Sequence, residues 1–143
     1  MSAVNSSWER LRELPLTIES VAYEKQAATF AYGFERVTTL VRLRGAGAEG
    51  LGEDVSPYED ESYTLHVLDP DFGLAGTWTL ESFCDHLAAT DQWPVTIEWE
   101  AARRWRNWAF ESAALDLALA QAGRPLHEVL GREPAPLDRK SVV

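Results

Sequence analysis

One stretch constrains this chain more than any other: WRNWAFESAALDLALAQAG, residues 105–123. It is rich in Ala and Leu, among the strongest helix formers. Gly123 ends it and Arg124-Pro125 follow, the order in which a glycine closes a helix and a proline prevents its continuation. A helix is therefore predicted over 105–123. Its apolar residues do not keep to one stripe. Trp108, Leu115 and Leu119 lie along one side, Phe110, Ala114 and Leu117 along another, and Ala109 and Ala113 along a third. A helix that is apolar nearly all round is buried on most sides, so this one is expected to be the central core helix or to await another layer. Glu111 and Asp116 interrupt it. Five residues apart, they point about 140° from each other and cannot work as an acid–base pair from one face. Each is expected to be hydrogen-bonded structurally, as buried polar groups are.

A chain of 143 residues with 45% hydrophobic content is the size of one domain with a real core. Its 13 basic and 23 acidic residues give a net charge of −10. That balance repels phosphate backbones and anionic membrane surfaces, so neither nucleic acid nor membrane is an expected partner. The single cysteine, Cys84, excludes a disulfide frame and a cysteine-based zinc site. The N-terminal residues hold no apolar run of a secretory signal, and no segment offers about 20 uncharged apolar residues for a membrane span. The expectation is a cytoplasmic protein.

Residues 1–15 read as a polar leader in which Trp8 and Leu11 could share one helical turn. LTIESVAY, 16–23, mixes β-branched and aromatic residues and reads as a strand. Residues 24–36, with Phe30, Tyr32, Gly33 and Phe34, read as a loop with an apolar tip. VTTLVRLR, 37–44, is the clearest strand: Val37, Thr39, Val41 and Leu43 share one face, Thr38, Leu40, Arg42 and Arg44 the other. Gly45-Ala46-Gly47 reads as a hairpin turn, and Gly50 and Gly52 fall in the returning strand, where glycine marks a bulge or a close approach of other atoms. A phosphate loop is rejected: no Lys-Ser/Thr pair follows, and Glu49, Glu53 and Asp54 would repel phosphate.

Residues 56–76 are acidic and turn-rich, and YTLHVL fits either a strand or a helical turn. His66 has no second ligand at a metal-binding spacing and reads as a surface or structural residue. A helix is expected over 77–89, capped by Thr79, with Leu80, Phe83, Cys84, Leu87 and Ala88 on its buried stripe and His86 in solvent. Trp93, Trp99, Trp105 and Trp108 are four of six tryptophans. They are expected to pack on the helical layer, with Arg103, Arg104 and Arg106 on the wet side. PLHEVLG, 125–131, reads as a short closing helix.

The order, a three-stranded antiparallel meander followed by a helical layer, is an α+β domain. GAGAEGLGEDV after a hairpin strand resembles the G-x-G-x-GE segment of the enolase superfamily's N-terminal capping domain (mandelate racemase/muconate lactonizing enzyme-like). WAFESAALDLALAQAGRPLHEVLG resembles that domain's last long helix and the turn behind it, through Glu111, Ala114, Leu115, Asp116, Gly123, Pro125, Leu126, Leu130 and Gly131. The resemblance covers about 16–131. It implies a domain that does no chemistry itself but supplies two loops closing over a (β/α)8 barrel, where carboxylates hold Mg²⁺ and a Lys or His removes a proton next to a substrate carboxylate. The corresponding loops are 24–36 and 54–61, which makes Phe30, Tyr32, Phe34, Val55 and Tyr58 the candidates to touch or shield a substrate. A barrel takes about 250 residues and 12 follow Gly131, so residues 132–143 read as a tail where a barrel would begin. No catalytic residue, metal ligand or cofactor is assigned within this chain; Mg²⁺ is implied for the barrel. The expected function is a truncated or split capping domain, inactive alone, whose full-length relative would be a Mg²⁺-dependent lyase or isomerase with the barrel as partner in cis or in trans. The alternative is a stand-alone interaction or dimerisation module derived from that domain, with a homo-oligomer among its expected forms. A small enzyme with its own site is a third reading, without a nucleophile–base or metal constellation to carry it.

Overall fold

The structure, a computed structural model, describes residues 6–56 and 61–137. Its elements run α1 (Ser7–Leu11), β1 (Pro15–Ile18), β2 (Ser20–Thr29), β3 (Glu35–Gly45), β4 (Ala48–Asp54), a 3₁₀ turn (Glu61–Tyr63), α2 (Leu65–Leu68), β5 (Gly76–Thr79), α3 (Leu80–Ala89), α4 (Glu100–Ala122) and α5 (Leu126–Leu130). The α+β expectation holds. β2, β3 and β4 form an antiparallel sheet in sequential order, and β1 pairs with β5 in a small second sheet.

Alternation along β3 sets which face of the meander is dry. Thr39, Val41 and Leu43 are almost fully buried, while Arg42 and Arg44 reach the opposite face. There Arg42 bridges Glu24 on β2 (3.0 Å) and Glu49 on β4 (2.7 Å), so three strands carry one charge ladder. Hydrogen bonds from Arg42 hold both carboxyls below their ordinary range. Ala46 and Gly47 both have positive φ (49° and 75°), the backbone a two-residue hairpin turn with matching twist requires.

The long helix α4 lies on the dry face. Gly50 and Gly52 are where it touches: a Cβ at Gly50 would collide with the Ala113 carbonyl oxygen, and one at Gly52 with that of Ala109. The helix can seat this closely because its facing residues, Ala109 and Ala113, are as small as a side chain allows. Farther along α4, Gln121 clamps the far end of both sheets. Its side-chain amide donates to the carbonyls of Thr17 (2.7 Å) and Gly45 (3.1 Å) while its oxygen accepts from Thr17 N–H (3.0 Å). Asp116 accepts from Leu51 N–H at 2.9 Å, a structural role of the kind expected for it. Phe83 and Leu87 of α3, Leu16 and Ile18 of β1 and Phe110 and Leu117 of α4 complete the core.

Several boundaries differ from the sequence expectation. α4 begins at Glu100 and runs for 23 residues, since nothing between 100 and 105 breaks a helix. β2 continues to Thr29, so most of the expected 24–36 loop is strand, paired residue by residue with β3 from Ser20↔Arg44 to Thr29↔Glu35. Residues 76–79 are strand, and α3 starts after them with a Thr79–Ser82 capping box. Ala88 is exposed rather than on the buried stripe. His86 is not solvated: its Nε2 lies 2.7 Å from the Phe72 carbonyl oxygen. Near the N-terminus, α1 is present and Leu14 joins the core. Among the described residues, no helix is long and apolar enough to cross a membrane.

Candidate functional site

The loops of interest lie at one end of the meander. Extending β2 and β3 places Phe30, Tyr32 and Phe34 on a tight turn closed by Phe30 N–H to the Phe34 carbonyl (2.8 Å) and Gly33 N–H to the Phe30 carbonyl (2.9 Å). Gly33 has φ 82°, which a side chain would strain. With alternate residues on one side, the three rings stack on one another, centroids 6.0–6.4 Å apart. They face solvent, with exposures of 44%, 81% and 54%. Three stacked aromatics on an exposed tip are not needed by the core, which is complete without them.

The second loop leaves β4 at Asp54. Val55 is half-buried and Ser56 buried; Tyr58 lies outside the described residues. On the outer sheet face, Val55 borders a depression of about 450 Å³ walled also by Gln26, Arg36, Thr38, Leu40 and Glu53. Thr38 donates its hydroxyl to Glu53 there at 2.5 Å.

Both ends of this loop are tied down from beneath. Arg106 of α4, expected on the wet side, is instead fully buried, and this is the largest correction the structure makes. Its Nε donates to Asp54 Oδ2 at 2.8 Å, its Nη1 to the Gln92 carbonyl at 3.2 Å and its Nη2 to the Tyr63 carbonyl at 2.7 Å. Its guanidinium lies 3.4 Å over the Trp93 ring. Asp54 turns its other oxygen to Ser56, accepting from the backbone N–H at 3.0 Å and the hydroxyl at 2.5 Å. One arginine thus joins the residue where the loop departs to the residue where it returns. The signal was present: Ala102, Arg106, Ala109, Phe110 and Ala113 follow the helical period of one buried stripe, and Asp54 supplies the counter-charge. Reading Arg106 by its charge, rather than by its position in that stripe, missed it.

A second tie lies beside the first. Lys25 Nζ sits 2.6 Å from Glu61 Oε1, whose other neighbour is His66 Nε2 at 3.1 Å. The Lys25 ammonium, then His66, keep the Glu61 carboxyl below its ordinary range. His66 Nδ1 lies 2.6 Å from Thr39 Oγ1 on the dry face of β3. His66 is therefore structural, one of the two roles the sequence allowed, and α2 is helical rather than strand.

These arrangements position the ends of the second loop. Among the described residues, no group of three His, Cys, Asp or Glu side chains is placed to hold a metal ion. The aromatic tip and Val55 stand at the same end of the sheet, while Glu111 and Asp116, on α4, are not brought together with them.

The architecture defines an α+β domain whose sheet end carries an exposed aromatic hairpin and a pinned second loop. The chain belongs to the family described as "Domain of unknown function (DUF8230) N-terminal domain", which it matches over residues 9–129. No curated protein and no solved structure matches it.

Proposed function

We propose that this chain is the capping domain of an enolase-superfamily protein. Its two loops would cover the active site of a Mg²⁺-dependent barrel that removes a proton α to a carboxylate. The observation that carries this reading is the pairing at one sheet end of a solvent-facing aromatic tip, Phe30, Tyr32 and Phe34, with a loop held at both ends by Arg106. A lid needs both properties. Its apolar side excludes water and strengthens the electrostatics beneath it, and its base must be rigid enough to return to one position on closing. Val55 would complete the apolar side. The chain supplies no catalytic group; the barrel, in cis or in trans, supplies the metal and the base. The acidic surface and the absence of a membrane-crossing helix among the described residues fit a cytoplasmic setting.

The test is to isolate the native product from its source cells by pull-down and intact mass spectrometry, then assay it in D₂O with Mg²⁺ and carboxylic acid libraries. The reading expects a barrel in the same chain or in a captured one, and deuterium at a substrate α-carbon. Phe30→Ala with Phe34→Ala should slow that exchange. A product with neither barrel nor exchange refutes it.

The solvent-facing indoles of Trp8, Trp99 and Trp108, 41%, 52% and 56% exposed, favour a second reading as a stand-alone interaction or dimerisation module. Sedimentation velocity distinguishes the two: a defined oligomer of the isolated chain supports the module, a monomer the lid.

A further inference from the structure

Away from the lid end, α1, α3 and α4 border a groove of about 460 Å³, within the range of small-molecule sites. Trp8 and Leu11 of α1 form one wall, Cys84 of α3 the second, and Trp108, Glu111 and Leu115 of α4 the third. The three α4 residues fall at i, i+3 and i+7, which places them along one face of the helix. Nearly everything in the groove is apolar. The polar exceptions are Ser112 and Glu111, and of these Glu111 alone carries a charge.

Glu111 is half-buried, and burial raises its carboxyl above the ordinary range. The Cys84 thiol lines the groove beside it, and burial together with the Glu111 charge pushes that thiol up to about 12, so it stays protonated. Among the described residues no Lys, Arg or His forms an ion pair with Glu111, and none lines the groove. Arg12, the residue that caps α1 at its C-terminal end, is engaged by Glu13 and Glu81.

We propose that this groove binds a small organic cation with an apolar body, an aryl- or alkylammonium, whose charge is met by Glu111 between Trp8 and Trp108. The charge pattern selects among ligand classes. An anion would meet Glu111 and a chain of net charge −10. A neutral apolar ligand would strip water from the carboxylate and return nothing for it, which costs free energy. An ammonium supplies the missing counter-charge, and indole faces attract cations in partly dry surroundings. The apolar body fills the space along Leu11 and Leu115. This site is independent of the lid reading, since none of its residues belongs to the loops.

The experiment is a calorimetric titration of the whole chain with benzyltrimethylammonium, with benzyl alcohol and phenylacetate as the neutral and anionic comparisons. The cation should bind at least about tenfold more tightly than either. Glu111→Gln should remove about that tenfold for the cation and leave benzyl alcohol unchanged. Trp108→Leu, which keeps the groove apolar, should weaken the cation several-fold and serves if the first variant does not fold. Equal binding of the three probes, no binding of the cation, or a Glu111→Gln variant that binds it undiminished overturns the proposal.

Discussion

Replacing Arg106 by Met would test whether one buried ion pair secures the second loop. The side chain is similar in length and apolar, so packing against Trp93 is largely kept while the charge is removed. Asp54, 4% exposed, would then be a buried carboxylate without its cation, and the Tyr63 and Gln92 carbonyls would lose their donor. Removing one partner of a buried pair costs about 3–5 kcal/mol. That is a large share of the roughly 5–15 kcal/mol that holds a domain folded. At about 2–4 °C per kcal/mol for a chain near this size, Tm should fall by about 6–20 °C. Urea unfolding followed by tryptophan fluorescence measures the loss. The double variant Asp54→Leu with Arg106→Met should recover much of it, because an apolar pair of similar volume is close to neutral where a lone charge is not. Hydrogen exchange should show residues 54–56 and 61–63 opening in the single variant. A loss below about 1 kcal/mol in Arg106→Met, or a double variant no better than the single, would refute the claim that the pair acts as a unit.

Other consequences can be checked in the same way. Gly52→Ala should destabilise by about 1–3 kcal/mol or more, because the new methyl meets the Ala109 carbonyl and β4 and α4 would have to part; chemical denaturation reads this, and a neutral result would contradict the contact. Thr79→Ala should cost about 1 kcal/mol, since it empties the α3 capping box, whereas Ser82→Ala should lose only the reciprocal half. The Glu111 carboxyl is raised in the folded chain by burial, so its favourable contribution is present below the unfolded carboxyl pKa and is lost as pH rises through the folded one; Glu111→Gln should therefore gain stability relative to wild type on going from pH 4 to pH 7, and an unchanged difference would contradict the burial. Glu24 and Glu49 are shifted the opposite way by Arg42, so their contribution holds above the unfolded carboxyl pKa and is lost as pH falls through the folded one. Arg42→Gln should flatten the acid limb of the stability curve, measured as Tm against pH.

Local chemistry determined much of this protein. The alternation of β3, the hairpin turn at Gly45-Ala46-Gly47, the Thr79 cap and the Gly123 stop each rest on interactions within a few residues, and each was legible in the chain. So were the two glycines of β4 as points of close approach, because a strand has few other reasons to carry Gly50 and Gly52. Three features depended on the tertiary structure. The length of β2 did, because SVAYEKQAAT is polar and its last five residues are exposed; what makes them strand is ten residues of pairing to β3, a partner no local pattern names. The place of His66 did, since its partners Thr39 and Glu61 approach only once α2 folds back beneath the sheet. Arg106 did most of all: its place in the buried stripe of α4 lay in the sequence, but its partners did not. A guanidinium reads as a surface group until an acid, two carbonyls and an indole, contributed by residues between 54 and 93, close around it, and that enclosure exists only when α4 lies across the meander.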